Sequence, residues 1–156
     1  MVRKIFLLRH GEAALPEYGI KDFERPLTAR GENKIRALGD QLKNEGTRFD
    51  SVFCSSSKRT KETYECLCES MQTNWYVEYK DEIYEAPVRA LFEVLVNTED
   101  EISNLLLIGH NPGISFLSEY LSDEAIIGMS PGQLVKLEFG FGSWSELSKG
   151  VCSVIN

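Results

Sequence analysis

Residues 4–11 read KIFLLRHG, a compact apolar run that ends in an arginine, a histidine and a glycine. Unbroken apolar runs of this length are typical of strands that are buried on both faces of a parallel sheet. Arg9 and His10 follow the run at once, so they lie at the carboxyl end of the predicted strand. Ligands of open α/β sheets bind at that end. The stretch therefore predicts both a type of sheet and the place of a site.

Outward from this strand, the chain alternates between strand and helix patterns. Further strands are predicted at residues 51–54, 75–79, 105–108 and 133–139. Helices are predicted to begin at Thr28, after the serines 55–57, at Pro87 and at Pro112. Such alternation with short connections predicts a three-layer α/β fold, in which a mostly parallel sheet carries helices on both faces. The most apolar strand, 105–108, is expected to be central. Residues 144–147 are expected to pair back as an antiparallel edge strand near the C-terminus.

The bulk composition narrows the classes of function. No repeat, low-complexity stretch or linker interrupts the chain, so we expect one domain over residues 1–156. The formal net charge of −7 argues against nucleic-acid binding, which needs a basic face. No apolar run approaches the roughly 18 residues of a membrane span, and the N-terminal run is too short for a signal peptide. These features favour a cytoplasmic protein without nucleic-acid or membrane partners, monomeric by default.

The cysteines offer no sign of a metal site. Cys54, Cys66, Cys68 and Cys152 lack the paired spacing of metal ligands. In a cytoplasmic protein, we expect them to be reduced structural thiols.

Charged and nucleophilic side chains follow each of the first four predicted strands. They are Arg9 with His10, then Arg59 after the serines, then Glu82 and Glu85, and last His110. Arginine forks match phosphate oxygens bidentately, and a neutral imidazole can act as a nucleophile at pH 7. Each histidine adjoins a glycine, which is expected to let a ligand approach the backbone closely. The combination predicts a site for a phosphoryl group.

Four ordered motifs resemble those of the histidine phosphatase superfamily, which has the phosphoglycerate-mutase-like fold, and in particular its short bacterial phosphohistidine phosphatase branch. They read LRHGEA at 8–13, RPLTARG at 25–31, SSSKRTKET at 55–63 and GHNPG at 109–113, so that the resemblance spans essentially the whole chain. It implies that His10 is the phospho-accepting nucleophile. It also implies that Arg9, Arg59 and His110 hold the phosphoryl oxygens and that Arg25 lines the same pocket. It implies no metal and no organic cofactor.

The general acid remains open in this comparison. Larger members of the superfamily use a glutamate just after the third strand, whereas the short branch often lacks a clear equivalent. Glu82 is the nearest match by position, and Glu85 is the second candidate. A phosphoester needs a proton on its leaving oxygen, but a protonated phosphohistidine can leave as neutral imidazole. The expected activity is therefore hydrolysis of protein phosphohistidine, for example on a histidine phosphotransfer protein, through a covalent phosphohistidine.

Three alternatives are weighed against this activity. The first is a phosphatase of the same fold that acts on small phosphomonoesters. The second is a regulator that binds a phosphorylated ligand without catalysis, but binding alone would not require both histidines. A mutase is disfavoured because little chain follows the third strand from which a lid could be built. Ser56 stands where many relatives carry a proline, and this departure is expected to matter little for the chemistry.

Overall fold

The computed structural model describes residues 2–140 and 142–156, and within them six strands form one mixed sheet. The strands are β1 (Arg3–Arg9), β2 (Ser51–Ser55), β3 (Val77–Lys80), β4 (Asn104–Gly109), β5 (Leu134–Phe139) and β6 (Ser153–Ile155). The α-helices are α1 (Ala29–Asn44), α2 (Lys58–Met71), α3 (Val88–Val96) and α4 (Gly113–Ser122). The strand order β3-β2-β4-β1-β5-β6 places β4 in the interior of the sheet. The predicted α/β architecture is confirmed.

The parallel part of the sheet aligns the strand ends that matter for the site. β3, β2, β4 and β1 are parallel neighbours, whereas β5 is antiparallel to β1 and β6 is antiparallel to β5. In the β1–β4 pair, Arg9 is opposite Gly109. The His10 backbone N–H then donates to the Gly109 carbonyl at 3.1 Å. The residues that follow β1 and β4 consequently lie side by side.

Strand β1 is buried on both faces, as its apolar run predicts. Ile5 and Leu7 point into the core that includes residues of α3 and α4. Phe6 and Leu8 point into the opposite core, which includes residues of α1 and α2. This alternation follows from the two-residue period of a strand, and it explains why residues 5–8 are all apolar. None of the helices found among the described residues has the length and apolarity needed to cross a bilayer.

The start of α1 is fixed against the loop that follows β1. Thr28 caps the helix as predicted, because its Oγ1 accepts the Gly31 N–H at 2.9 Å. The Thr28 N–H donates to the Glu12 carbonyl at 2.9 Å. Gly31 is required by this close approach, since a Cβ there would lie 2.3 Å from the Glu12 carbonyl oxygen. The residues before α1 are thus held close to the loop that carries His10.

The predicted edge strand at 144–147 is wrong. Trp144–Glu146 forms a short 3-10 helix, and the antiparallel edge is β6 instead. Trp144 is fully buried, and its ring packs on Phe139 with centroids 5.3 Å apart. Its indole N–H donates to the Ile102 carbonyl at 2.8 Å. The aromatic residue that suggested a strand therefore fills the core next to α3.

The cysteines are all free and buried, which agrees with structural thiols. Burial raises the pKa of Cys66 to about 11 and that of Cys152 to about 12. Both thiols are therefore protonated at neutral pH and poor nucleophiles.

Candidate active site

The residues predicted to bind phosphate meet at the carboxyl edge of the sheet. Arg9 ends β1, and His10 follows it. His110 follows β4, and Arg59 lies in the first turn of α2, just beyond β2. With Arg25 they line a cleft of about 290 Å³, and the rings of the two histidines are 5.2 Å apart between centroids. The cleft is completed by Glu12, Ala13, Glu85, Asn111 and Pro131.

The side chain of His10 is held in one tautomer. Its Nδ1 lies 2.7 Å from the carbonyl oxygen of Gly11. A carbonyl can only accept, so Nδ1 carries the proton and Nε2 keeps its lone pair. The Gly11 N–H donates to Thr63 Oγ1 at 3.0 Å, and that hydroxyl donates to the Arg59 carbonyl at 2.7 Å. The peptide that orients the imidazole is thereby tied to α2.

His110 is oriented by a serine of the neighbouring strand β2. Its Nε2 lies 2.8 Å from the Oγ of Ser55, the last residue of that strand. His110 Nδ1 is buried and makes no hydrogen bond to any described residue. When the Ser55 hydroxyl donates to Nε2, Nδ1 carries the proton. The serine cluster was noted in the sequence, but this role of Ser55 was not.

Two of the cleft arginines keep a buried N–H without a protein acceptor. Arg9 donates from Nη1 to the Met129 carbonyl at 2.9 Å, yet its Nε has no partner within residues 2–140 and 142–156. The same holds for Nε of Arg59, whose side chain is only 3% exposed. Buried donors of this kind are rare because each costs the desolvation of a polar group. Both guanidinium groups belong to residues that line the cleft beside His10, where they can bind an anion.

A carboxylate that the sequence reasoning missed connects the arginines. Asp22 Oδ1 accepts from Arg25 Nε at 3.0 Å and Nη2 at 2.8 Å, and Oδ2 accepts from Arg59 Nη2 at 3.1 Å. The Arg59 Nη1 donates to the Asp22 carbonyl at 2.8 Å. The Tyr84 hydroxyl donates to Oδ2 as well. Arg25 also donates to the Ala14 carbonyl at 2.7 Å. The three-residue spacing of Asp22 and Arg25 was the available signal, whereas nothing in the sequence indicated Tyr84.

The comparison with known families agrees with this geometry. Residues 5–89 match the model of the histidine phosphatase superfamily (branch 1). The chain belongs to this superfamily. The match includes His10 and three arginines of the cleft, while His110 lies beyond it and joins the site through β4.

The chain is also similar to individual proteins. The chain is 35% identical over 78 residues to the 2,3-bisphosphoglycerate-dependent phosphoglycerate mutase of Elusimicrobium minutum, a stretch that covers 47% of this chain and 31% of that enzyme. A candidate phosphohistidine phosphatase SixA from Nakamurella multipartitia superposes with a TM-score of 0.85 at 23% identity, over 100% of this chain and 95% of that one. The protein histidine phosphatase SixA in complex with tungstate gives a TM-score of 0.83 at 22% identity, with coverages of 98% and 94%. These two likenesses show a shared fold.

The two candidate acids of this histidine phosphatase lie in different places. Glu82 is exposed and lines another cleft, between α3 and the strands β2 and β3. The expectation that it stands beside the phosphoryl group is not met, because the short 3-10 helix Asp81–Ile83 turns it away. Glu85 lines the catalytic cleft, with Oε1 at 3.5 Å from Arg59 Nη2. Of the two candidates, Glu85 is the one within reach of the site.

The glycines beside the histidines serve packing rather than ligand access. A Cβ on Gly11 would lie 3.1 Å from Ile35 Cγ1 and 3.3 Å from Leu27 Cδ2. A Cβ on Gly109 would lie 3.4 Å from Ile83 Cγ2. The absent side chains therefore face the protein interior, and the expectation of a close approach to ligand is wrong. At Gly11, the missing Cβ lets α1 pack against the loop that carries His10.

Both imidazoles are neutral at pH 7. Burial is the main cause for each, and it lowers the pKa of His10 to about 4 and that of His110 to about 3. The charges of Arg59 and Arg9 lower both values further. The Gly11 carbonyl opposes the shift at His10, and Asp22 opposes it at His110. His10 therefore keeps its nucleophilic lone pair across the neutral range.

These shifts predict that the protein loses stability in mild acid. Between about pH 6.5 and pH 4, the unfolded chain protonates both histidines and the folded protein does not, so the free energy of unfolding falls as the pH falls. Each histidine contributes a slope of up to about 1.4 kcal/mol per pH unit. Urea unfolding at about pH 7, 6 and 5 measures the slope. The double variant His10→Asn/His110→Asn should flatten it, and an unchanged slope would contradict the assignment.

Proposed function

We propose that the protein is a phosphatase that transfers a phosphoryl group to Nε2 of His10 and acts on protein phosphohistidine. The observation that carries the proposal is the convergence of three arginines and two histidines on one cleft, with the lone pair of His10 Nε2 left free. The arginines are Arg9, Arg25 and Arg59, and the ring of His110 lies 5.2 Å from that of His10. Donors fixed before the substrate arrives can stabilise the charge of the transferring phosphoryl group without reorganisation.

The proposed cycle has two displacements. Nε2 of His10 forms a bond to phosphorus while the bond between phosphorus and the leaving nitrogen breaks. The substrate imidazole keeps the electron pair and leaves neutral, because its other nitrogen already carries a proton. Water then forms a bond to phosphorus and loses one proton to solvent, while the bond between phosphorus and Nε2 breaks. The electron pair returns to Nε2 of His10, and phosphate is released. Throughout the cycle, the Gly11 carbonyl holds the proton on Nδ1.

A phosphohistidine substrate is favoured because Glu85, the candidate general acid nearest the site, is largely exposed to solvent. Of the two candidate acids, Glu85 lines the cleft, but its side chain is 59% exposed and its Oε1 is 3.5 Å from Arg59 Nη2. A protonated phosphohistidine does not need a general acid, because its imidazole leaves neutral. One protein of similar structure is a protein histidine phosphatase, which agrees with this choice.

The rivals have less support. The cleft holds two neutral histidines in addition to arginines, and a module that only binds phosphate would not need the nucleophile. The sequence match to the mutase relative covers 31% of that enzyme. A phosphatase for small phosphomonoesters is the second candidate, because Glu85 does line the cleft.

A turnover panel tests the proposal. We expect kcat/KM for a phosphorylated histidine phosphotransfer domain to exceed that for an alkyl phosphate such as phosphoglycerate by at least about 100-fold, since the alkoxide would leave without an effective acid. Released phosphate is measured for both substrates. Faster turnover of the alkyl phosphate would favour the phosphomonoester alternative. Binding of phosphate with no turnover of either substrate would favour a non-catalytic regulator.

A matched pair of variants adds a second readout to the panel. If alkyl phosphates are the true substrates, Glu85→Gln should lower their turnover much more than that of phosphohistidine. Glu82→Gln removes the same charge three residues away, in the other cleft, and should leave that ratio unchanged.

A further inference from the structure

The Asp22 carboxylate bonds to the side chains of three residues around the cleft, although Asp22 does not line the cleft itself. Its carboxylate accepts from Arg25, Arg59 and Tyr84, and its backbone carbonyl accepts from Arg59. The side chain is 43% exposed, so the bonds are not forced by burial. Asp22 thus contacts two of the cleft arginines, Arg25 and Arg59, rather than one.

The carboxylate stays ionised. The bond from the Tyr84 hydroxyl, followed by those from Arg25 and Arg59, holds the pKa of Asp22 well below its usual range. Asp22 therefore cannot supply a proton to a leaving group at neutral pH. What it supplies is a fixed negative charge within hydrogen-bonding distance of two phosphate-binding guanidinium groups.

The charges near the phosphoryl site are accordingly almost balanced. Arg9, Arg25 and Arg59 contribute three positive charges, against which stand the carboxylates of Asp22 and Glu85. The remaining carboxylate of the cleft, Glu12, is bonded to Arg30 at 2.5 Å, so its charge is compensated outside the cleft. A nearly balanced site is unusual for an enzyme that must attract a dianion, because each uncompensated positive charge strengthens dianion binding.

The two substrate classes differ in charge. A phosphomonoester is mostly a dianion at pH 7, since its second pKa is about 6. A phosphohistidine whose ring is protonated carries the same phosphoryl group beside a positive ring, so its net charge is less negative by one. The charge of the leaving group, and not that of the phosphoryl group alone, distinguishes the classes.

We propose that Asp22 is a specificity-determining residue, whose negative charge next to Arg25 and Arg59 weakens the binding of dianionic phosphomonoesters and favours a phosphoryl group carried on a protonated nitrogen. This inference rests on the proposed function and names the device that selects its substrate. The same bonds position both guanidinium groups, so the charge effect must be measured separately from positioning.

The test is the isosteric variant Asp22→Asn, with Glu24→Gln as the matched control. Glu24 belongs to the same short 3-10 helix, Asp22–Glu24, but it is exposed and lies away from the cleft. For Asp22→Asn, the ratio of kcat/KM for the phosphorylated histidine phosphotransfer domain to that for p-nitrophenyl phosphate should fall at least about fivefold, even if both values drop. Glu24→Gln should leave the ratio as in the wild type.

Binding of inorganic phosphate gives a readout that does not depend on turnover. Calorimetry at about pH 8, where phosphate is mostly a dianion, should show at least about fivefold tighter binding to Asp22→Asn than to the wild type. If both substrates slow by the same factor and phosphate binds no more tightly, Asp22 only positions the arginines and the inference is overturned. If the wild type turns over neither substrate, the proposed function fails, while the phosphate measurement still decides the role of the charge.

Discussion

Replacing His10 by asparagine is expected to lower kcat/KM by more than about 10⁴-fold for every substrate, which corresponds to more than about 5 kcal/mol of transition-state stabilisation. The reason is that the asparagine amide could still donate to the Gly11 carbonyl, but no nitrogen with a free lone pair would face the cleft. Phosphate release and rapid-quench trapping of a ³²P-labelled enzyme at alkaline pH measure the loss. The wild type should yield acid-labile label on His10, and the variant should yield none.

The control for this prediction is a test that the variant remains folded and still binds phosphate. His10 is buried and neutral, so His10→Asn should unfold at a temperature close to that of the wild type at pH 7 and should still bind phosphate through Arg9 and Arg59. Label that persists in the variant, or label found on His110, would overturn the role of His10 as nucleophile. His110 is the residue to examine because its ring is 5.2 Å away.

The second large effect is expected at Arg59. Arg59→Lys should reduce kcat/KM by about 10²–10³-fold, although the charge is kept, because an ammonium lacks the planar fork that bonds Asp22 twice and that matches phosphate oxygens bidentately. Loss of the guanidinium should also change the pKa values of the two histidines. Since Arg59 lowers the pKa of His10 and of His110, Arg59→Ala should raise both.

Two measurements separate these consequences. Steady-state kinetics give the loss of activity, and NMR titration of the imidazole ring protons gives the pKa shift. Arg36→Lys is the matched control, because Arg36 bonds to Glu32 and Glu69 on the outside of α1 and α2. A variant Arg59→Lys with more than about half of the wild-type activity would show that Arg59 is not a phosphate ligand.

The fold was predictable from local patterns to the extent that burial produced them. The sheet was predicted from the apolar runs of β1 and β4, because both strands are buried on two faces and no polar residue interrupts either run. Thr28 marked the start of α1 because capping is a local interaction. The strand predicted at Trp144 was wrong because large aromatic side chains are common both in strands and in cores. Only the tertiary structure shows which of the two applies.

The site was predictable in part for the same reason. Arg9, His10, Arg59 and His110 were located from the rule that ligands bind at the carboxyl ends of parallel strands, and Arg25 came from the resemblance of its motif. The position of Glu82 was expected from its distance along the chain past β3, which takes no account of the 3-10 turn that places Glu85 in the cleft instead. Asp22, Ser55 and Tyr84 act through contacts across the fold. The Asp22–Tyr84 bond joins residues 62 apart in the chain, a separation that no local pattern encodes.

The pairing of β1 with β4 has a consequence for how such proteins can change. His10 and His110 each stand one position beyond the matched residues Arg9 and Gly109, so their separation follows from the spacing of adjacent strands, about 4.8 Å, rather than from side-chain packing. Insertions in the surrounding loops would leave the two imidazoles where they are. A slip of one residue between these strands would turn one ring to the opposite face of the sheet. Loops can therefore diverge to suit new substrates while the backbone preserves the reacting pair.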